Sequence, residues 1–165
     1  MNAGKRLVRL EAGIAGFPFV VIADGNAVLR SVLRPGEKEL LELRGVPEGD
    51  NSVTEAALKF IDRYLRGEDG VLPPLDFGGC TAAERMVYTA CSRIPFGDRM
   101  SYGMLALAAG FPRAARFAGS CMRRNRHMLF VPCHRVVPAG GGIGQYSGGE
   151  DVKKELLEFE AGFPE

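Results

Sequence analysis

Residues 67–79, "GEDGVLPPLDFGG", set the first limit on how this chain can fold. Four glycines, two prolines and three acids in one short segment can sustain neither a helix nor a strand ladder. The chain of 165 residues is therefore expected to divide near residue 73, into an N-terminal domain (1–73) and a C-terminal domain (74–165), each with its own core. A hydrophobic share of 46% is enough to build both.

Ahead of that break, "FPFVVIADGNAVLRSVLR" reads as a hairpin, two apolar β-branched runs around Asp24-Gly25-Asn26. "TEAALKFIDRYLRG" predicts a helix with Ala57, Leu58, Ile61, Tyr64 and Leu65 on one face, ending at Gly67.

After the break the pattern turns helical. Thr81 and Glu84 form a capping box ahead of "RMVYTACSRI". Ser101 can cap a short helix ending at Gly110, and Pro112 suits the first turn of a second helix running to about Arg124. Two short helices about a tight glycine turn are the outline of a helix-turn-helix. "HMLFVPCHRVVP" reads as a short buried strand broken by Pro132, and "AGGGIGQYSGG" as a glycine-rich loop. No Gly-Lys-Ser/Thr follows it, so it is not a phosphate-binding P-loop. "EDVKKELLEFEAG" predicts a final amphipathic helix with Val152, Leu156, Leu157 and Phe159 inward, stopped by Gly162.

A net charge of +1 hides an asymmetry. From Arg99 to Gly149 the chain carries seven arginines (Arg99, Arg113, Arg116, Arg123, Arg124, Arg126, Arg135) and no acid, whereas residues 1–98 hold 12 basic and 14 acidic side chains. Arginine forks phosphates and stacks on bases, so an anionic polymer is the expected partner. In the second helix those arginines alternate with Ala114, Ala115, Ala118, Gly119 and Ser120, small residues that let a backbone approach a surface closely.

No run of about eighteen unbroken apolar residues is present, and the polar start does not resemble a signal peptide. A cytoplasmic protein, or a nuclear one in a eukaryote, is expected. The cysteines Cys80, Cys91, Cys121 and Cys133 lack C-x-x-C spacing, and the only histidines are His127 and His134, so no metal site is expected. Free thiols are preferred to a Cys80–Cys91 bridge, and His127 is read as a surface residue or a phosphate contact.

The chemistry concentrates at "FVPCHRVV", residues 130–137. Pro132 fixes its own φ and removes a backbone donor, placing Cys133 at a rigid, irregular point. His134 can take the thiol proton, directly or through water, and Arg135 adds positive potential favouring a thiolate. A carboxylate to orient the imidazole is then needed. Glu150, Asp151, Glu155, Glu158 and Glu160 on the last helix are all candidates, and the residues alone do not choose among them.

"IPFGDRMSYGMLA", "GFPRAARFAGSCMRRNRHMLFVPCHRVV" and "GIGQYSGGEDVKKELLEFE" resemble the O6-alkylguanine-DNA alkyltransferase family (methylated-DNA–protein-cysteine methyltransferases) across nearly all of residues 80–160. The N-terminal part resembles that family's variable α/β domain only loosely. The resemblance implies an α/β (α+β) protein: a small N-terminal domain with RNase H-like topology, then a mostly helical domain with a helix-turn-helix and an active-site turn. It implies DNA repair by single-turnover transfer of an alkyl group from O6-alkylguanine in double-stranded DNA to Cys133, after minor-groove binding and base flipping.

In that scheme His134 is the base through a water and Glu160 completes the relay. Tyr102 gives a proton toward guanine N3, and Asn125 is the hinge between recognition helix and active-site turn. Arg116 is the finger that fills the base stack. Arg113, Ala115, Ser101, Arg123 and Arg135 join it against DNA, and backbone groups of Cys133 and Val136 line the base pocket together with Tyr146, Ser147 and Met122. No cofactor, no metal, no membrane and a monomer are expected. Arg126 and His127 depart from the proline-containing apolar stretch of many members. Three rivals carry different expectations: a lesion-binding relative that does not react, a helix-turn-helix regulator, and a cysteine hydrolase that turns over.

Overall fold

A computed structural model describes residues 6–164. The chain forms two units, one ending at Asp76 and one beginning at Phe77.

The first unit is built on a three-stranded antiparallel sheet, β1 (Val8–Ile14), β2 (Phe17–Ala23) and β3 (Val28–Leu33), in that spatial order. The expected hairpin is β2–β3. Its turn is closed by the Asp24 carboxylate, which accepts from the backbone N–H groups of Asn26 and Ala27 at 2.7 and 2.9 Å. β1 is an addition to the sequence reading. It reverses into β2 through Ala15-Gly16, both at positive φ (48° and 84°), a two-residue primed turn made with alanine where Asn or Asp usually signals it.

Residues 19–23 of β2 are buried without interruption. Neighbouring strand residues point to opposite faces, so this sheet is covered on both sides. Leu43 of α1 (Glu37–Arg44) packs with Val20, Ile22 and Val32, and α2 (Ser52–Leu65) packs on β2. Asn51 caps α2, accepting from Val53 and Thr54 while Thr54 reciprocates. The buried stripe of α2 is Val53, Ala57, Phe60, Ile61 and Tyr64. Leu58 and Leu65, expected inward, are 42% and 40% exposed. Each follows a stripe residue by one position, a rotation of about 100° around the helix. Within the glycine- and proline-rich break, Pro74 and Asp76 bracket Val28 with two backbone hydrogen bonds of 2.8 Å.

The second unit holds α3 (Ala82–Cys91), α4 (Tyr102–Ala108), α5 (Ala115–Arg123) and α6 (Glu150–Ala161), with a two-residue parallel ladder of β4 (Met100–Ser101) and β5 (Val136–Val137). The Thr81–Glu84 box caps α3. Ser101 caps α4, its hydroxyl accepting from Met104 N–H. α4 ends as a Schellman motif: Gly110 at φ 87°, with Phe111 N–H on Ala106 carbonyl at 2.8 Å and Gly110 N–H on Leu107 carbonyl at 3.0 Å.

Pro112 does not start the next helix as expected. Arg113 after it is left-handed (φ 64°), which no α-helix accommodates, so α5 begins only at Ala115. A Tyr88 hydroxyl on the Cys121 carbonyl (3.0 Å) ties α3 to α5. On α6, Val152, Leu156 and Leu157 are buried as expected, together with Lys153 and Glu160. Phe159 is only partly buried and makes edge contacts with Phe96 and Phe163.

Candidate active site

Between α5 and α6 the chain runs buried from His127 to Val136, and of the expected strand only the end, β5, forms. Its backbone groups are satisfied by turns, by the Asn125 side chain and, at Val136, by the short β5 ladder and Lys153. Asn125 accepts from His127 N–H (2.9 Å) on Oδ1, while Nδ2 donates to the Val131 carbonyl (2.9 Å) and to Cys133 Sγ (3.1 Å). Leu129 is left-handed (φ 72°), and Val131 N–H closes back on the His127 carbonyl at 2.8 Å.

Pro132 (φ −78°, ψ 64°) is the centre of an inverse γ-turn closed by Cys133 N–H on the Val131 carbonyl (2.7 Å). A single 3₁₀ turn, Cys133–Arg135, follows. Cys133 is thereby held where no ladder could hold it, its sulfur already in the grip of Asn125.

The carboxylate left open among five candidates is Glu160. Its Oε1 lies 2.6 Å from His134 Nε2. Arg135 forks both oxygens through Nε (3.1 Å each) and reaches Oε1 with a terminal nitrogen (3.0 Å). Gly97 N–H donates to Oε2 at 3.0 Å. An imidazole nitrogen that close to a carboxylate carries the hydrogen, so the other nitrogen of neutral His134, Nδ1, offers a lone pair. That Nδ1 is buried and has no protein partner among the described residues.

Burial pushes the Cys133 thiol above its ordinary value; hydrogen bonds from Asn125 and Tyr146 and the charge of Lys153 oppose this only in part. Burial likewise lowers His134, against the pull of Glu160. Burial alone would raise Glu160, but the hydrogen bond and charge of His134 and the Arg135 guanidinium bring it down to about 2. The resting centre is thus a thiol, a neutral imidazole and an ionised carboxylate.

A cavity of about 960 Å³ opens onto Cys133. Of the expected residues, Tyr102, Ala115, Arg116, Met122, Arg123, Tyr146 and Ser147 line it. The Ser147 hydroxyl donates to the Arg123 carbonyl (3.0 Å), fastening the glycine-rich loop to the end of α5. Gly144 also lines the cavity at φ 75°, where a Cβ would sit 3.0 Å from Pro138 and 3.4 Å from the Tyr102 hydroxyl. Tyr102 is kept protonated by burial, with Cys133 adding to the effect.

Three placements correct the sequence reading. Arg135 is buried and consumed by Glu160 and by the Ile94 carbonyl (2.6 Å), so it neither faces DNA nor lends net charge to the thiol. Val136 is buried off the cavity, its carbonyl held by Lys153 Nζ at 2.6 Å. His127 is 1% exposed and meets the Phe77 ring edge-on, because the turn after Asn125 drives it inward. Arg124 pairs with Glu84 (2.8 Å) and Arg126 with the Gly78 carbonyl (2.7 Å). Arg113, Arg116 and Arg123 remain exposed. The residue that sequence reasoning missed is Lys153, which looks like any surface lysine of "DVKKE" apart from its place on the apolar stripe of α6.

All four cysteines are free. Among the described residues no group of three or more His, Cys, Asp or Glu side chains could hold a metal ion, and no helix is long and apolar enough to cross a membrane.

Residues 82–162 match the family model for the DNA-binding domain of 6-O-methylguanine DNA methyltransferase. A methylated-DNA–protein-cysteine methyltransferase of Methanothermobacter thermautotrophicus is 38% identical over 132 residues, covering 76% of this chain and 74% of the relative. A DNA base-flipping protein of Thermus thermophilus is 34% identical over 117 residues, 69% of this chain and 78% of its own. Among solved structures, OGT of Mycobacterium tuberculosis in complex with DNA superposes with a TM-score of 0.75 at 29% identity, covering 93% of this chain and 92% of that one.

Proposed function

The chain belongs to the methylated-DNA–protein-cysteine methyltransferase family, and from that premise we propose that it repairs double-stranded DNA by moving an alkyl group from O6 of guanine onto its own Cys133. The observation that carries this reading is the pairing of a cavity-facing thiol with an imidazole whose Nε2 is locked by Glu160 and whose Nδ1 is free.

A base stacked in a duplex is out of reach of a buried sulfur, so the target nucleotide must be extruded into the cavity. α5 supports that step. It borders the cavity with the small residues Ala115 and Gly119 and with Arg116 and Arg123, which suits a helix entering a shallow minor groove. Arg116 fills the gap left in the stack. Arg113, in the exposed turn before α5, and Arg123 meet phosphates, so binding is salt-dependent and tolerant of sequence.

In the cavity the thiol proton passes to His134 Nδ1 through a water, and Glu160 stabilises the imidazolium. Sγ attacks the carbon on O6. The S–C bond forms as the C–O6 bond breaks, and its electron pair goes to the base. Tyr102 protonates the base at N3 and is reprotonated, through solvent, with the proton held on His134. The sum is an exchange of alkyl group and thiol hydrogen, balanced without another reactant. A thioether leaves poorly and nothing in the site removes it, so each molecule acts once, as a monomer.

The test is intact mass and peptide mapping after mixing with excess duplex carrying one O6-methylguanine, with Cys133→Ala alongside. One methylene gained on the Cys133 peptide, stoichiometric and absent from the variant, is the expected result. Lesion-selective binding without mass gain would point instead to a protein that flips and holds the base without reacting.

A further inference from the structure

Lys153 has no exposed surface. It lies on the inward face of α6, where a cation is among the hardest side chains to bury without an acidic partner. Its Nζ donates to the Val136 carbonyl at 2.6 Å and stands 5.9 Å from the centre of the Tyr102 ring. No acid pairs with it among the described residues. Glu160 is engaged by His134, Arg135 and Gly97, and Glu150 of the same helix is exposed. The carbonyl and the ring are partial charges only. The first full negative charge to arise beside it is the thiolate, formed when Cys133 gives up its proton; Tyr102 gives up its own only later, as the base leaves.

We propose that Lys153 is the buried counter-charge of the Cys133 thiolate, a positioning residue that acts through the sulfur's electrostatics. This rests on Cys133 being the alkyl acceptor. The two buried cations then divide the work. Arg135, forked by Glu160, contributes no net charge and fixes the acid, while Lys153 keeps its charge for the sulfur. The ammonium retains its three protons throughout and the proton path through His134 is unchanged. Burial draws the Lys153 ammonium below its ordinary value, and the charges of Cys133, of Cys91 on α3 and of Glu150 oppose this. The other titratable or charged groups around the pair are Tyr102 from α4, His134 and Arg135 from the 3₁₀ turn, Tyr146 from the glycine-rich loop, and Glu150 and Glu160 from α6 itself.

Lys153→Met removes the charge at nearly constant length. Cys133 ionisation is read as thiolate ultraviolet absorbance, taken as the difference from the matching Cys133→Ala protein. The expected result is a midpoint raised by about one pH unit or more, with Lys153→Arg falling between Lys153→Met and wild type. Methyl transfer at neutral pH drops about tenfold or more, and the deficit narrows as pH rises. If Lys153 only props the Val136 carbonyl, the midpoint does not move and the rate falls equally at every pH, which overturns the proposal.

Should Lys153→Met not fold, the reciprocal measurement needs no Lys153 variant. In ¹³C-lysine-labelled protein the Lys153 ammonium should hold its proton to higher pH when Cys133 is present than in Cys133→Ala, and identical titrations refute the pairing. The two readings fail separately. Coupled titrations in a protein whose Cys133 gains no methyl group would sink the alkyl transfer alone; a methylated Cys133 with uncoupled titrations would sink the role of Lys153 alone.

Discussion

Strand β2 from Phe19 to Ala23 and the segment from His127 to Val136 are both buried throughout, yet they keep their backbone polar groups satisfied in opposite ways. β2 gives its hydrogen bonds to two neighbouring strands, and any side chain of suitable volume would preserve them. The second segment relies on an inverse γ-turn, a left-handed leucine and an asparagine side chain that makes three hydrogen bonds, with the short β5 ladder and Lys153 taking over only at its end, Val136. Buried backbone must be paired somewhere. A ladder does it generically, whereas turns braced by a side chain do it at named residues and leave room for a reactive group between them. The generic solution builds the sheet, and the specific one presents the thiol.

That contrast can be broken by experiment. The largest effect should come from Glu160→Gln, which keeps the shape but leaves Arg135 unpaired and His134 without its orienting charge. Single-turnover methyl transfer is expected to slow about a thousand- to ten-thousandfold, measured by rapid-quench mapping of the Cys133 peptide. The same variant changes the acid limb of stability. Glu160 titrates below its ordinary 4.5, at about 2. Its contribution is therefore whole above about 4.5 and lost as pH falls toward about 2. The buried His134, also lowered, loses stability in the same direction as it is forced to charge. Acid unfolding of Glu160→Gln should lack the lowest-pH part of this dependence; an unchanged acid limb would count against the pairing.

Phe19→Ala tests the ladder. It empties a fully buried position and should destabilise its unit by about 3–5 kcal/mol in urea, while the methyl-transfer rate per folded molecule stays close to wild type. Asn125→Ala is the matching test of the turns. It should destabilise by about 2–3 kcal/mol and also slow transfer in the molecules that remain folded, because the brace and the sulfur's hydrogen bond disappear together. If both variants lose stability and neither loses rate, the distinction between the regions fails. The smallest effect belongs to Arg116→Ala, beyond both buried regions. Affinity for a lesion duplex should fall by about 1–3 kcal/mol, with the Cys133 titration unmoved.

Features written in a few neighbouring residues could be read from the sequence: the Thr81–Glu84 box, the Ser101 cap, the stop at Gly110, the hairpin after Phe17. Each is a local hydrogen-bonding rule. What stayed hidden depended on distance or on irregular backbone. β1 has an alternation too weakly buried to declare itself and a turn made with alanine. Arg113 and Leu129 adopt left-handed backbone that neither residue type announces, and this displaced the start of α5 and put turns in place of most of a strand. Cys133 and His134 stand out as adjacent letters, but Glu160 lies 26 positions beyond His134, so family resemblance named it where spacing could not. Of the two buried cations, Arg135 was given an exposed role and Lys153 was passed over, for the same reason. Arg135 sits beside the thiol in sequence, and Lys153 reaches the site only when α6 packs.

The late position of Glu160 has a consequence for how the protein is made. A growing chain receives its nucleophile, its imidazole and the Gly97 N–H well before the carboxylate that joins them, and domains assemble in the order of synthesis. Until that helix emerges and docks, Cys133 is an ordinary thiol beside an imidazole with no fixed tautomer. The relay that directs the thiol therefore exists only once that last helix has docked.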